Sequence, residues 1–332
     1  SLPGVHAATS ASGTIVVAAT GPGSPVTAFT ATRDPVDIPG SGTATPNASN
    51  PNTPASSHAI RNLCEDPWLR AEPTFLQLGP RRLASALFLP SDHDGVTQLP
   101  VLLDPYGGPH AQRVLKSHNP HLVSRWFAEQ GFAVLVTDGR GTPGRGPAFE
   151  REVWGDLAAP VLEDQIDALD AAADLYPFLD LGRVGIRGWS FGGYLAALAV
   201  MRNPERVHAA VAGAPVTDWE LYDTHYTERY LGHPQEHPEH YQRSGLLPAA
   251  EHLDRPLLLI HGLADDNVVA AHTLQLSSAL LANGRSHQVL PLSGVTHMTP
   301  QAVIAQNLLT LQLDFLNEHL ADRNISVDPS IS

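Results

Sequence analysis

From about residue 70 onward the apolar residues come in short unbroken runs. Val101–Asp104, Ala133–Thr137, Val184–Ile186, Ala209–Ala212 and Leu257–Ile260 are nearly continuous rather than alternating, as strands covered on both faces require. Thr74–Leu78 and Leu83–Leu89 precede them and read as an antiparallel pair. Between the runs, Val161–Ala172, Tyr194–Val200 and Leu274–Leu281 carry helical patterns. Strands alternating with helices predict a mostly parallel α/β sheet with crossover helices on its faces.

The first 60 residues follow another pattern. Gly13–Ala19 and Pro25–Phe29 are β-like runs around the turn Gly21-Pro22-Gly23-Ser24, which predicts a hairpin. A lone hairpin is marginal in water, and no other segment of the chain obviously offers it a sheet. Residues 37 to 57 are Pro, Ser, Thr, Asn and Gly with almost no large side chain, the composition of a linker. The expected division is therefore 1–36, a linker over 37–60, an α/β domain over 61–322 and a tail over 323–332.

Composition narrows the classes of function. With 42% hydrophobic and 16% charged residues the balance is globular. There is neither a long apolar run nor a basic-then-apolar leader, so a soluble protein with no membrane partner is expected. A net charge of −14 opposes binding to nucleic acid. The single cysteine, Cys64, excludes an internal disulfide and favours a reducing, cytoplasmic setting. Lys116 is the one lysine among 20 basic side chains, a bias towards arginine that hints at a bacterial source.

Chemistry enters at Gly188-Trp189-Ser190-Phe191-Gly192-Gly193, a G-x-S-x-G pattern between a strand and a helix. That context makes Ser190 a candidate nucleophile on a sharp elbow. Two further loops at strand ends carry Asp265, after Ile260-His261-Gly262, and His297, after Gln288–Pro291. Ser, Asp, His is the chain order of an α/β-hydrolase triad, in which a base takes the serine proton and a carboxylate orients the base. Asp266 lies on the same turn, and spacing alone leaves the choice between the two carboxylates open. An oxyanion formed at Ser190 also needs donors. The Phe191 N–H is one. Where lipases carry an HGGG loop, this chain reads Asp104-Pro105-Tyr106-Gly107-Gly108-Pro109.

Together, Gly188–Tyr194, His261–Val268, Trp219-Glu220-Leu221-Tyr222-Asp223 and Tyr226-Thr227-Glu228-Arg229-Tyr230 resemble the prolyl oligopeptidase family of serine peptidases, especially its dipeptidyl peptidase IV branch, over roughly residues 70 to 320. The resemblance implies an α/β-hydrolase fold with Ser190 as nucleophile, Asp265 rather than Asp266 as acid, His297 as base and Tyr106 as second oxyanion donor. It also implies a proline pocket from Phe191, Val216, Trp219, Tyr222, Tyr226 and Val268, with Asn267 holding a substrate carbonyl. On residue type alone Trp219, Tyr222 and Tyr226 read as a packed aromatic cluster. The chain departs from the branch at Phe191, where tyrosine is more common, and in the Gly294–Met298 turn around His297. By the same resemblance residues 1–36 are expected to be the remnant of the last blade of a β-propeller absent from this chain.

The implied activity is hydrolysis of peptide bonds after proline or alanine through an acyl-enzyme, with a peptide as substrate. The alternatives are an esterase or acylaminoacyl peptidase of the same fold, or a truncated domain with little activity; a homodimer stays open. No cofactor is expected. His233, His237 and His240 invite a metal reading, but Pro234 and Pro238 interrupt the helix that would align His233 with His237, so a solvated loop and no metal are expected. Asn47-Ala48-Ser49 and Asn324-Ile325-Ser326 fit the glycosylation pattern and are assigned no role.

Overall fold

The computed structural model describes residues 4–11, 14–21, 27–33, 56–65 and 67–320. Most of the expected linker, the turn at 22–24, the tail and both Asn-X-Ser sites lie outside them. The chain divides into two compact units, residues 1–72 with 115–125, and residues 73–114 with 126–332.

The smaller unit holds a four-stranded sheet of β1 (Val5–Ala11), β2 (Thr14–Thr20), β3 (Ala28–Arg33) and β4 (Ser56–Ile60), antiparallel throughout and in sequential order. Two expectations are corrected. The β2–β3 hairpin does find a sheet within this chain, because β1 and β4 flank it. Residues 56–60 pair with β3 from Phe29↔Ile60 to Arg33↔Ser56, so they are strand and not linker. Both flanking strands are short in aliphatic residues, VHAATSA and SSHAI, and main-chain pairing builds them where side-chain pattern gives little signal. The boundary of the α/β unit moves accordingly, from residue 61 to residue 73.

The larger unit is the expected α/β-hydrolase. Its eight strands are β5 (Thr74–Leu78), β6 (Leu83–Phe88), β7 (Leu99–Leu103), β8 (Ala133–Asp138), β9 (Leu179–Trp189), β10 (Ala209–Gly213), β11 (Leu257–Gly262) and β12 (Gln288–Leu292). They lie in the order β12-β11-β10-β9-β7-β8-β6-β5, antiparallel where β6 joins its neighbours and parallel elsewhere. The central strands β8, β10 and β11 are buried at every position, which is why their sequences do not alternate.

The helices over Ala159–Leu175, Phe191–Arg202 and Ala271–Ala282 extend the sequence-based ranges by a few residues. Phe191–Arg202 is buried from Phe191 to Met201. It packs tightly against the sheet because a Cβ at Gly193 would overlap the Gly213 carbonyl on β10. A buried ion pair joins neighbouring strands: Arg187 on β9 reaches Asp104 at the end of β7 at 2.7 Å. This pair sits under the loop that begins Pro105-Tyr106. No helix among the described residues is long and apolar enough to cross a membrane.

Candidate active site

Ser190 sits between the end of β9 and the first turn of helix Phe191–Arg202 with φ 59° and ψ −120°. That conformation costs a non-glycine residue roughly 1–3 kcal/mol, so its surroundings must impose it. Two main-chain bonds do so, Ser190 N–H to the Gly213 carbonyl and Tyr194 N–H to the Ser190 carbonyl, both 2.9 Å. The glycines of the motif have a steric reason, since a Cβ on Gly188 would overlap the Gly192 main chain. A side chain at Gly192 would press on the Pro105 carbonyl, so the elbow lies against the Tyr106 loop. Phe191 N–H, at the first position of the helix, has no intrahelical acceptor.

Burial pushes the Tyr106 hydroxyl up to about 12. It is therefore a neutral donor throughout the ordinary pH range.

Asp265 and Asp266, equivalent by spacing, are separated by burial. Asp266 is exposed. The Asp265 side chain is wholly buried, with Oδ1 accepting the N–H groups of Asn267 and Val268 at 2.9 Å each. Its Oδ2 lies 2.8 Å from His297 Nδ1, which commits Nδ1–H to the carboxylate and leaves Nε2 unprotonated in the neutral ring. The turn carrying Asp265 and the loop carrying His297 are stitched together by Leu263 N–H to Leu292 O and Ala264 N–H to Val295 O.

The expected pocket residues come together as one aromatic assembly. Trp219 packs edge-on to Tyr194 and Tyr222, is tilted against Phe191 and is nearly parallel to Tyr226. Phe191, Val216, Trp219 and Val268 are buried, whereas Tyr222 and Tyr226 are half-buried. Of the three residues in the packed-cluster reading, Trp219 fits it, while Tyr222 and Tyr226 keep exposed surface. Asp223 caps the helix Thr224–Leu231 through the Tyr226 N–H, fixing where Tyr226 emerges. Its hydroxyl is buried without a hydrogen-bond partner, and burial holds its pKa well above the ordinary tyrosine value. The Tyr222 hydroxyl donates to Asn267 Oδ1 at 3.3 Å, which aims the Asn267 amide nitrogen elsewhere.

Two supporting residues went unrecognised in the sequence. Trp189 occupies a variable position of the motif, yet its indole N–H bonds the His297 carbonyl at 2.7 Å. His261, just before the acid turn, bridges Thr273 Oγ1 and the Val268 carbonyl at 2.7 Å each; its place beside the motif is the only hint. The histidine-rich stretch is also not a solvated loop throughout. His240 enters the helix Pro238–Ser244 and is buried, with Nδ1 2.8 Å from the Leu231 carbonyl.

The pattern of the prolyl oligopeptidase family matches residues 119–323. Dipeptidyl peptidase 8 of Mus musculus is 36% identical over 251 residues, covering 73% of this chain and 28% of the relative. Prolyl endopeptidase FAP of Mus musculus is 32% identical over 235 residues, 70% of this chain and 31% of the relative. This chain thus spans less than a third of either relative's length. Among solved structures, dipeptidyl peptidase 4 of Porphyromonas gingivalis superposes with a TM-score of 0.82 at 27% identity, over 96% of this chain and 44% of that one.

Proposed function

Because the chain belongs to the prolyl oligopeptidase family, we propose that it is a serine peptidase cleaving peptide bonds after proline, with Ser190, His297 and Asp265 as its triad. The observation that carries this reading is the buried Asp265 carboxylate 2.8 Å from His297 Nδ1, on a loop tied by hydrogen bond to the residue preceding the strained Ser190.

The chemistry follows from these positions. His297 Nε2 takes the Ser190 proton as Oγ bonds to the scissile carbonyl carbon, and Asp265 stabilises the imidazolium. The carbonyl oxygen becomes an oxyanion, met by the Tyr106 hydroxyl and the Phe191 N–H. Collapse breaks the C–N bond, His297 returns its proton to the leaving amine, and a Ser190 acyl-enzyme remains. Water then adds with His297 as base, releasing the acid and regenerating Ser190. A pyrrolidine ring offers no hydrogen bond, so shape and ring contact with Tyr222 and Tyr226, backed by Phe191, Val216, Trp219 and Val268, select it. With its oxygen engaged by Tyr222, the Asn267 amide donates Nδ2–H to a substrate carbonyl. A sequential antiparallel four-stranded sheet is also the repeating unit of a β-propeller. This supports reading β1–β4 as one blade, longer than the 1–36 expected.

The test is labelling with a fluorophosphonate, read by intact mass and peptide mapping. One adduct on Ser190, absent in Ser190→Ala, is expected, together with faster turnover of a prolyl amide than of its alanyl counterpart. A folded chain without that adduct would sink the proposal, and turnover of simple esters alone would move it to the esterase class.

A further inference from the structure

We propose that His237, Glu239 and His240 form a binding site for one divalent transition-metal ion, apart from the serine site. Pro238, at the first position of the helix Pro238–Ser244, fixes a turn in which His237 is the cap and His240 the third residue. Residues three apart on a first turn face the same way, and the two imidazoles stack with centroids 4.7 Å apart and planes within 5°. Glu239 Oε1 lies 3.4 Å from His240 Nε2 and 3.8 Å from His237 Nδ1. The three donor atoms all fall within 4.8 Å of one another. Tetrahedral ligands at zinc-like bond lengths stand about 3.3–3.5 Å apart, so small rotations of the exposed Glu239 and half-buried His237 side chains bring the set to coordination distance.

The surroundings prepare the ligands. His240 Nδ1 faces the Leu231 carbonyl at 2.8 Å, an acceptor, so Nδ1 carries the proton and Nε2 turns a lone pair towards Glu239. This is the outer partner that metal-binding histidines generally have. The Tyr241 hydroxyl donates to the Gly232 carbonyl at 2.8 Å and His237 N–H to the His233 carbonyl at 2.9 Å, closing the loop behind the site. Trp154 stands edge-on to both imidazoles, at 5.8 and 5.0 Å. Two imidazoles and one carboxylate suit zinc, nickel or copper better than magnesium or calcium, and three protein ligands leave coordination positions for water. The sequence misdirects on membership: Glu239 completes the set, while His233 Nδ1 accepts the Gln235 N–H.

The experiment is calorimetric titration of Zn2+ into the untagged full chain in a non-chelating buffer, with Mg2+ as control. One Zn2+ per chain is expected, weakened at least tenfold by His237→Ala and by Glu239→Gln, with no Mg2+ uptake. His240 is left in place because its Leu231 contact is structural. Independently, Cu2+ should quench a fraction of tryptophan fluorescence that disappears in Trp154→Phe. Absence of stoichiometric Zn2+, or unchanged affinity in both His237→Ala and Glu239→Gln, overturns the proposal.

Discussion

The indole N–H of Trp189 donates to the main-chain oxygen of His297 at 2.7 Å. The residue before the proposed nucleophile thereby holds the main chain of the proposed base, across 108 positions of sequence. Gly213 makes room for it, since a Cβ there would overlap the indole ring.

Trp189→Phe keeps most of the ring and deletes the donor, leaving the His297 carbonyl without that partner. A neutral hydrogen bond contributes about 0.5–1.5 kcal/mol net. Because the bond positions the base and does not touch substrate, kcat should fall by about 3- to 10-fold with KM little changed. Steady-state kinetics on a prolyl amide checks this, and a change confined to KM would refute it.

Asp265→Asn and Asp266→Asn should differ sharply. Asparagine at 265 can still accept the Asn267 and Val268 N–H groups but loses the charge facing His297. In other triads such a change lowers kcat by roughly 10^4-fold. At the exposed Asp266 the same change should leave kcat within about 2-fold, the range of ordinary surface substitutions. Equal effects at both positions would remove Asp265 from its proposed role.

Tyr106→Phe deletes a donor that matters once charge develops on the carbonyl oxygen. Removing one such donor costs about 10^2- to 10^3-fold in kcat, and KM should change far less. With its hydroxyl pushed up to about 12, Tyr106 should cause no alkaline loss of activity between pH 8 and 10. A pH–rate profile that falls there in wild type and not in Tyr106→Phe would contradict this.

His272 supplies a prediction about stability. It is buried, Nδ1 accepts the Thr217 N–H at 3.2 Å, and burial lowers its pKa to about 4 from the ordinary 6.5, against the opposing pull of Asp218. Between those values the unfolded chain binds the proton and the folded chain does not. Stability is therefore fully present above pH 6.5 and is lost as the pH falls towards 4, by at most about 3 kcal/mol. His261, also lowered by burial, acts in the same direction. Urea unfolding at pH 4.5 and 7 should show a smaller difference in His272→Gln than in wild type; identical differences would exclude His272 as a contributor.

The sequence by itself determined the strands of the larger unit, three of its helices and the types of residue at its reactive end. Continuous apolar runs and the G-x-S-x-G elbow are local signals, because burial on both faces and a strand-to-helix turn restrict composition within a few neighbouring positions. It did not reveal β1 or β4. Their small, polar residues are held by main-chain pairing, to which composition is nearly blind. Only the tertiary structure decided what depends on approach between distant segments. Asp265 is buried and Asp266 exposed, Trp189 reaches His297, and the aromatic residues divide between a packed floor and half-buried tyrosines. Each of these is set by which surfaces the sheet order brings together, and spacing along one chain does not encode that distance.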